Sequence, residues 1–343
     1  MGGKKKAEGS SSNSKGAPPD DSGEKLYRAF RRSLVEYGVT MPKKLEEKFL
    51  AVRDEKNPET LREIVFWEPV GTLVVRALAD ALRDTQYTHL QSIHFWKAGV
   101  EDEGIRSLMQ FIKVCPTVSV MEFMDCGLTC LSCEFLSSTL LLQPENPLSI
   151  LKLDHNSLSD QGVVFLARAL RMNTIIKVLS LGYCNISSSS ARPLMEILIF
   201  QESTLEEMEL RGNLLQATGA GEILFGMKIN VALNYLGLAD NGVVAEGDNE
   251  QFSQSLVDML KTNSNLSKLD LRYNRITEKA VKWVCANVKV GNPGGSSGLS
   301  EFLISDNTFN DLTIDELKNL VGGGGGKGKK GKKKGKKKGK KKN

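Results

Sequence analysis

Residues 148–158 read Leu148-Ser-Ile-Leu-Lys-Leu-Asp-His-Asn-Ser-Leu158, with leucine at the first, fourth, sixth and eleventh positions and asparagine at the ninth. Apolar residues at the first, fourth and sixth positions are typical of a short strand with one buried face. An asparagine directly after such a strand can satisfy backbone groups of neighbouring turns that would otherwise be buried without partners. The segment therefore predicts a buried strand that ends near residue 156.

The same register recurs in nine segments, whose first residues are 28 to 33 residues apart. Six of them show it clearly, and in these six the ninth position is always Asn or Cys, a small residue that fits the same space. One such unit cannot bury its own apolar face, so the units must stack on one another. Counted from this first position, units one to nine begin at residues 61, 90, 118, 148, 176, 205, 233, 266 and 299.

A helix is predicted between consecutive strands. In residues 162–170 an apolar stripe at helical spacing consists of Val163, Leu166, Ala167 and Leu170. The pattern resembles the leucine-rich-repeat signature L-x-x-L-x-L-x-x-(N/C)-x-L, and the unit length and helix resemble its ribonuclease-inhibitor-like subclass over roughly residues 61–320. This resemblance implies an α/β leucine-rich-repeat solenoid (horseshoe), with a parallel inner sheet and outer α-helices, and a binding role more than a catalytic one.

The ends of the chain differ from the repeats. Residues 1–23 are rich in Gly, Ser, Lys and Pro and are predicted to be disordered. Residues 24–60 are predicted to form a helical N-terminal cap, residues 61–321 the repeat domain closed by a helix over 314–321, and residues 322–343 a disordered Gly/Lys-rich tail. The first cap helix should end at Gly38 and a second should open at Pro42. Their predicted apolar faces are Leu26, Tyr27, Phe30, Leu34 and Val35 in the first, and Leu45, Phe49 and Val52 in the second.

Two intervals of 33 residues indicate insertions. One falls at residues 244–250, directly after an asparagine of the repeat, and the other at residues 291–298, which are rich in Gly and Ser. Both are predicted to be surface loops. Insertions in a solenoid lie along one rim, so a loop that contacts a partner is the alternative to a merely tolerated insertion.

The formal net charge of +5 is unevenly distributed. Of 46 Lys and Arg residues, twelve lie in residues 322–343, which contain no acid; the remaining 34 against 41 Asp and Glu give the rest of the chain a charge of −7. Runs of like charge often act as interaction tails. The predicted anion-binding residues are Lys327, Lys329, Lys330, Lys332, Lys333, Lys334, Lys336, Lys337, Lys338, Lys340, Lys341 and Lys342.

The tail has several candidate targets. An acidic protein surface such as tubulin, a nucleic acid and anionic lipid headgroups all offer negative charge. No aromatic residues are interspersed with the lysines, so stacking on bases and sequence-specific reading are not expected. A tail that only increases solubility is the remaining alternative.

The pattern contains no convincing catalytic or metal site. Cys130 and Cys133 form a C-x-x-C pair, which can bind zinc, but no second pair or paired histidines complete a site. Cys126 and Cys184 occupy the ninth position of the repeat, and the register places Cys130 and Cys133 near the start of the following helix. All four are expected to be structural thiols. No nucleophile motif and no phosphate-binding loop is present. We therefore predict no metal, no cofactor, no small-molecule substrate and no enzymatic activity.

A binding surface is predicted on the concave face of the sheet, where the fifth and seventh positions point away from the core. The seventh positions of units one to three are Trp67, Trp96 and Met124, and strands about 4.8 Å apart would join them into one apolar patch that anchors a protein partner. Coverage of Trp67 by the N-terminal cap is the alternative. The full predicted set is Trp67, Trp96, Met124, Asp154, Tyr183, Arg211, Tyr235, Arg272 and Tyr273.

Three functional hypotheses follow. The first is a protein-interaction scaffold of the cytoplasm, associated with the cytoskeleton or cilium, whose lysine tail contacts an acidic surface. The second is a nuclear or nucleolar factor whose tail binds RNA or directs localisation. The third is a regulator resembling Ran GTPase-activating proteins, which the basic tail disfavours. No apolar run is long enough to span a bilayer and no secretory signal is recognisable, so reduced thiols are expected.

Overall fold

The structure, a computed structural model, describes residues 21–54, 61–143, 146–245, 251–289 and 298–321. In this part of the chain each repeat unit contributes one strand to a nine-stranded parallel sheet, and the strands follow one another in chain order. The strands are β1 Glu63–Phe66, β2 Ser92–Trp96, β3 Val120–Met124, β4 Ile150–Lys152, β5 Val178–Ser180, β6 Glu207–Glu209, β7 Tyr235–Gly237, β8 Val244–Ala245, β9 Lys268–Asp270, β10 Arg275–Ile276 and β11 Glu301–Leu303. All except β8 and β10 belong to this main sheet, so the predicted α/β solenoid with a parallel inner sheet is confirmed.

Helices alternate with the strands and pack against one another in chain order. They are α1 Ser22–Tyr37, α2 Lys43–Asp54, α3 Thr72–Asp84, α4 Glu101–Val114, α5 Cys130–Leu142, α6 Ser159–Leu170, α7 Ala191–Leu198, α8 Gln216–Met227, α9 Gln251–Thr262, α10 Glu278–Lys289 and α11 Asp311–Val321. Helix α1 begins inside the segment 1–23 that was predicted to be disordered, and residues 1–20 lie outside the described residues. No helix among the described residues is long and apolar enough to cross a bilayer.

The N-terminal helices cover the first unit from the helical side. Leu26, Phe30 and Leu34 are buried, and α1 packs against α3. Gly38 adopts a left-handed conformation after α1, and its N–H reaches the carbonyls of the last turn, which ends the helix where predicted. The placement of Val35 on the apolar face was wrong, because one residue beyond Leu34 the helix has rotated by about 100° and Val35 is exposed.

Helix α2 starts directly after Pro42, whose carbonyl accepts the N–H groups of the first turn. Leu45 and Phe49 are buried, and the Phe49 ring packs against the rings of Tyr27 and Phe30 in α1. The side chain of Val52 lies outside the described residues.

The core lies between the sheet and the helices. In every unit the first, fourth and sixth positions are buried, as in Leu148, Leu151 and Leu153 of unit four. The predicted stripe of α6 faces this core, because Val163, Leu166, Ala167 and Leu170 are all buried. Each helix and strand therefore shares its apolar face with the units on either side, which is why the repeats cannot fold singly.

The ninth position forms a column of hydrogen bonds, as predicted. Asn156 Oδ1 accepts the N–H groups of Cys126 and Leu128 in the preceding unit, at 3.0 and 3.1 Å. Its Nδ2 donates to the carbonyls of Phe123 and Leu153 at 2.7 and 2.8 Å. Cysteine at this position preserves the donating half, since the Cys126 thiol donates to strand carbonyls at 3.3 and 3.4 Å, whereas sulfur is a weaker acceptor than an amide oxygen.

The first insertion differs in part from the prediction of a loop. Val244 and Ala245 form the short strand β8, which pairs in parallel with β10 beside the main sheet. The rest of that insertion, residues 246–250, and residues 291–297 of the second insertion lie outside the described residues. The closing helix α11 begins at Asp311, three residues before its predicted start.

Candidate functional site

The concave face is the side of the main sheet turned away from the helices. Side chains alternate along each strand, so in β2 Ile93 and Phe95 point into the core while Ser92, His94 and Trp96 point outward. Outward positions are therefore the third, fifth and seventh of each unit. The sequence-based prediction named only the fifth and seventh positions, although the same alternation places the third on this face.

Trp67, Trp96 and Met124 lie side by side on this face. Trp96 stands in register with Met124, and the indole centroids of Trp67 and Trp96 are 6.0 Å apart with the ring planes at 54°. Trp67 is 67% exposed and Trp96 49% exposed. Coverage of Trp67 by the cap is therefore wrong, because α1 packs on the helical side of the sheet against α3.

The two indoles border a cavity of about 290 Å³ over the first three strands. Its floor is the sheet and its walls combine apolar and acidic side chains. The lining residues are Glu63, Val65, Trp67, His94, Phe95, Trp96, Glu122 and Met124. We call this cavity the indole pocket.

The polar side of the indole pocket is organised around Glu122. Lys152 Nζ donates to one carboxylate oxygen at 2.8 Å, and His94 Nδ1 lies 2.8 Å from the other. Burial opposes ionisation of Glu122, but these hydrogen bonds outweigh burial and lower its pKa. His94 Nε2 lies 3.5 Å from Glu63, a carboxylate that is more than half exposed. The pocket therefore places the carboxylates of Glu63 and Glu122 beside the two indole rings.

Asp154 was predicted to be available to a partner, and the structure corrects this. Its side chain is only 8% exposed, and Oδ1 accepts a hydrogen bond from the Ser180 hydroxyl at 2.6 Å and from the Gly182 N–H at 2.9 Å. A Cβ atom at Gly182 would lie 2.7 Å from this oxygen. The glycine at the seventh position of unit five thus makes room for Asp154 to fold onto the next strand.

Tyr235 is likewise engaged within the sheet. Its hydroxyl donates to Glu209, whose carboxylate lies directly over Gly237 and also accepts the Arg211 N–H at 2.8 Å. Burial raises the pKa of Glu209, and the hydrogen bonds from Tyr235 and Arg211 only partly offset this. Tyr235, which was predicted to contact a partner, is therefore only half-exposed.

The predicted residues nearer the C-terminus form a separate group. The Arg272 guanidinium holds Asp270 with contacts of 2.7 to 3.2 Å, and the Arg211 guanidinium lies 5.3 Å from the centroid of Tyr273. Tyr273 is exposed. Arg272 and Arg211 thus contact other side chains of this group, which lies several strands from the indole pocket. The structure therefore does not bring the predicted residues together into one site.

The eighth position has a repeating backbone conformation that was not anticipated. In units two to nine it is left-handed, with φ between 52° and 71°. With this turn, the Tyr183 ring stacks on the His155 ring, with centroids 4.6 Å apart. The same ring lies over Gly212, where a Cβ atom would collide with it. A glycine is needed at residue 212 both for its φ and for the space that Tyr183 occupies.

Comparison with known proteins also indicates leucine-rich repeats. The family described as Leucine Rich repeat matches residues 262–282. The chain is 26% identical to mouse "Ribonuclease inhibitor" over 54% of its own length and 39% of that protein. It is 28% identical to human "NACHT, LRR and PYD domains-containing protein 13", over 61% and 20% of the two chains. The chain is a leucine-rich-repeat protein of the ribonuclease-inhibitor-like subclass.

A third relative is "Protein phosphatase 1 regulatory subunit 37 homolog" of Caenorhabditis elegans, 25% identical over 47% of this leucine-rich-repeat chain and 17% of that protein. The chain thus spans less than two fifths of the length of each of these three relatives.

The cysteines of the leucine-rich-repeat domain are buried or half-buried thiols. Burial raises the pKa of the Cys126 thiol to about 11 and that of Cys184 to about 12, so both stay protonated and act as hydrogen-bond donors. Cys130 and Cys133 begin α5, as the repeat register predicts. Within the described ranges no three Cys, His, Asp or Glu side chains converge as metal ligands would. The predicted anion-binding residues Lys327–Lys342 lie outside those ranges.

Proposed function

We propose that this chain is a non-enzymatic protein-interaction scaffold that holds a protein partner on the N-terminal part of its concave face. The observation that carries the proposal is the exposed pair Trp67 and Trp96 beside Met124. Large apolar side chains that have a cavity beside them and no core to enter are the usual anchors of protein interfaces. The indole pocket beside these anchors is a cavity in which a side chain of the partner fits.

The comparisons support the same class of function. Two of the three relatives bear names that describe action on another protein, namely a ribonuclease inhibitor and a regulatory subunit of a phosphatase. Both names are compatible with a scaffold that acts by binding. In our proposal, the exposed residues Trp67, Trp96 and Met124 of this chain contact the partner.

We expect the double substitution Trp96→Ala, Met124→Ala to abolish capture of the native partner from a cell extract while leaving the fold intact. Loss of one anchor typically costs about 2 kcal/mol or more of binding free energy, roughly a 30-fold loss of affinity. Neither side chain belongs to the buried set, so the melting temperature should stay within about 2 °C of the wild type. Quantitative pull-down and circular dichroism measure the two effects.

The matched control is Met172→Ala, Leu214→Ala, which removes two exposed apolar side chains away from the concave face. This variant should capture the partner as the wild type does. An unfolded Trp96→Ala, Met124→Ala variant would show that these residues are structural, and unchanged capture would place the partner elsewhere.

We further propose that Lys327–Lys342 contact an acidic surface, as in a cytoskeletal or ciliary component bound to a filament. The rest of the chain carries a net charge of −7, so the tail is the concentrated source of positive charge. An RNA-binding or nuclear role is the alternative that the same charge supports.

A chain that ends at Val321 is expected to lose binding to anionic polymers, because neutralising many charges releases counterions. For the full chain, affinity should fall steeply, by roughly 10³-fold or more between 50 and 200 mM salt if six or more lysines engage a nucleic acid. Polyglutamate and a single-stranded RNA homopolymer are the two probes, and a tagged copy with and without residues 322–343 tests localisation. Full binding by the shortened chain would contradict the proposal.

A further inference from the structure

Trp67 and Trp96 are exposed indoles without a cation of the chain over the ring, whereas several other aromatic rings of the described residues have one. Six rings carry an Arg or Lys of the chain itself, 4.8 to 5.7 Å from the ring centroid: Tyr27, Tyr37, Phe165, Phe225, Tyr235 and Tyr273. Among the described residues, no Lys or Arg takes this place over either indole. Indole is nevertheless the ring that attracts a cation most strongly.

The arrangement of the two indoles leaves their faces open. With centroids 6.0 Å apart and planes at 54°, the rings contact each other, so no side chain fits between them. A ligand in the pocket meets the outer ring faces and the Met124 side chain, whose thioether is soft and polarisable. This geometry suits a compact charged group at the end of an aliphatic stem.

The charges around the pocket are complementary to a cation. Its lining includes Glu63 and Glu122 but no Lys or Arg. Glu122 already holds Lys152 and His94. Glu63 has only the contact of 3.5 Å to His94 Nε2 among the described residues, and its side chain is 55% exposed. Glu63 is therefore a carboxylate beside two indoles, and no Lys or Arg in the described part of the chain neutralises it.

We propose that the indole pocket binds the cationic end of a lysine or arginine side chain in a peptide segment of the protein partner. The proposal rests on the proposed function, because it names the group that the concave face receives. The ammonium or guanidinium lies against the indole faces of Trp67 and Trp96, and Glu63 balances its charge.

The chain's own lysines are a competing source of this cation. They follow α11 of the ninth unit, whereas the pocket lies over the first three strands. At about 4.8 Å per strand, six to eight strand spacings separate the two, roughly 30–40 Å. The 22 residues that follow Val321 are long enough to cover this distance, at up to about 3.3–3.6 Å per residue. Distance alone does not separate the two sources, so the assignment of the cation to a partner is part of the proposal and is tested by the experiment.

The test uses the full chain with ¹⁵N-labelled tryptophan. The protein has three tryptophans, and the third, Trp283, lies in α10 and serves as an internal reference. Blocked, glycine-flanked peptides with a central lysine, arginine or norleucine are titrated while the indole N–H resonances are followed. Norleucine keeps the aliphatic stem of lysine and removes its charge.

We expect the lysine and arginine peptides to shift the resonances of Trp67 and Trp96 and not that of Trp283. They should bind at least roughly two- to fivefold more tightly than the norleucine peptide, as an exposed cation over an aromatic face requires. Glu63→Gln should weaken this binding about threefold. Glu207→Gln, at the same third position of unit six, should not change it.

Equal binding of the norleucine peptide, or an unchanged affinity of Glu63→Gln, would overturn the cation assignment. Resonances that respond only after residues 322–343 are removed would overturn the assignment to a partner in favour of the chain's own tail. Loss of partner capture in Trp96→Ala, Met124→Ala without preference for basic peptides would reject this inference and leave the proposed function standing. Retained capture by that double variant would reject the proposed function itself.

Discussion

Replacing Leu153 by alanine is expected to lower the free energy of unfolding by about 2–5 kcal/mol, because the substitution removes a fully buried side chain and leaves a cavity. Leu153 occupies the sixth position of unit four, so the cavity would open in the middle of the stack. Since each unit contacts only its neighbours, units three and five should lose packing as well. Urea denaturation followed by circular dichroism measures the change.

The matched control for this prediction is Leu214→Ala. Leu214 is 56% exposed, so its truncation should change stability by no more than about 0.5 kcal/mol. Similar midpoints for Leu153→Ala and the wild type would mean that the sixth position does not face the core, and the assigned repeat register would have to be abandoned.

Replacing Asn156 by alanine is expected to cost about 3–5 kcal/mol, although the side chain removed is small and polar. Its Oδ1 accepts two N–H groups of unit three. Its Nδ2 donates to the carbonyls of Phe123, Leu153 and Asp154. Alanine would leave these buried backbone groups without partners, and each such group costs about 1–3 kcal/mol. Denaturant midpoints again provide the measurement.

Asn156→Cys is the informative companion to this variant, because Cys126 and Cys184 occupy the equivalent position in the adjacent units. A thiol donates to the strand carbonyls but is a weaker acceptor than the amide oxygen for the N–H groups of the preceding unit. We therefore expect Asn156→Cys to be destabilised less than Asn156→Ala. The reverse order would show that the side-chain volume, and not the hydrogen bonding, stabilises this column.

The sequence was a good guide wherever local backbone geometry sets the outcome. The buried faces of the strands and of α6 follow from apolar spacing, and Gly38 ends α1 because a left-handed residue is needed there. Even the position of Cys130 at the start of α5 follows from the repeat register. Each of these features depends on residues within one unit, which is why spacing alone predicts them.

Predictions that depend on a neighbouring unit were less successful. Asp154 has the same strand position as Trp96, yet it folds onto Ser180 and Gly182 of the next unit and is nearly buried. The glycine at residue 182 was a usable signal, since it leaves space beside a polar side chain. Val244 was predicted to lie in a loop, but pairing with Arg275 and Ile276, more than 30 residues later, makes it part of a strand.

The register of the repeat, the identity of the core positions and the asparagine column follow from the amino-acid sequence alone, because strand alternation and helix periodicity are properties of the local backbone. Which outward side chains remain open to a partner depends on contacts between units 26 to 30 residues apart. Such contacts engage Asp154 and Tyr235 and leave Trp67, Trp96 and Glu63 without an Arg or Lys over or beside them among the described residues. Spacing along one strand carries no information about these cross-unit contacts. The indole pocket, which is formed by residues of three units, is therefore recognisable only in the tertiary structure.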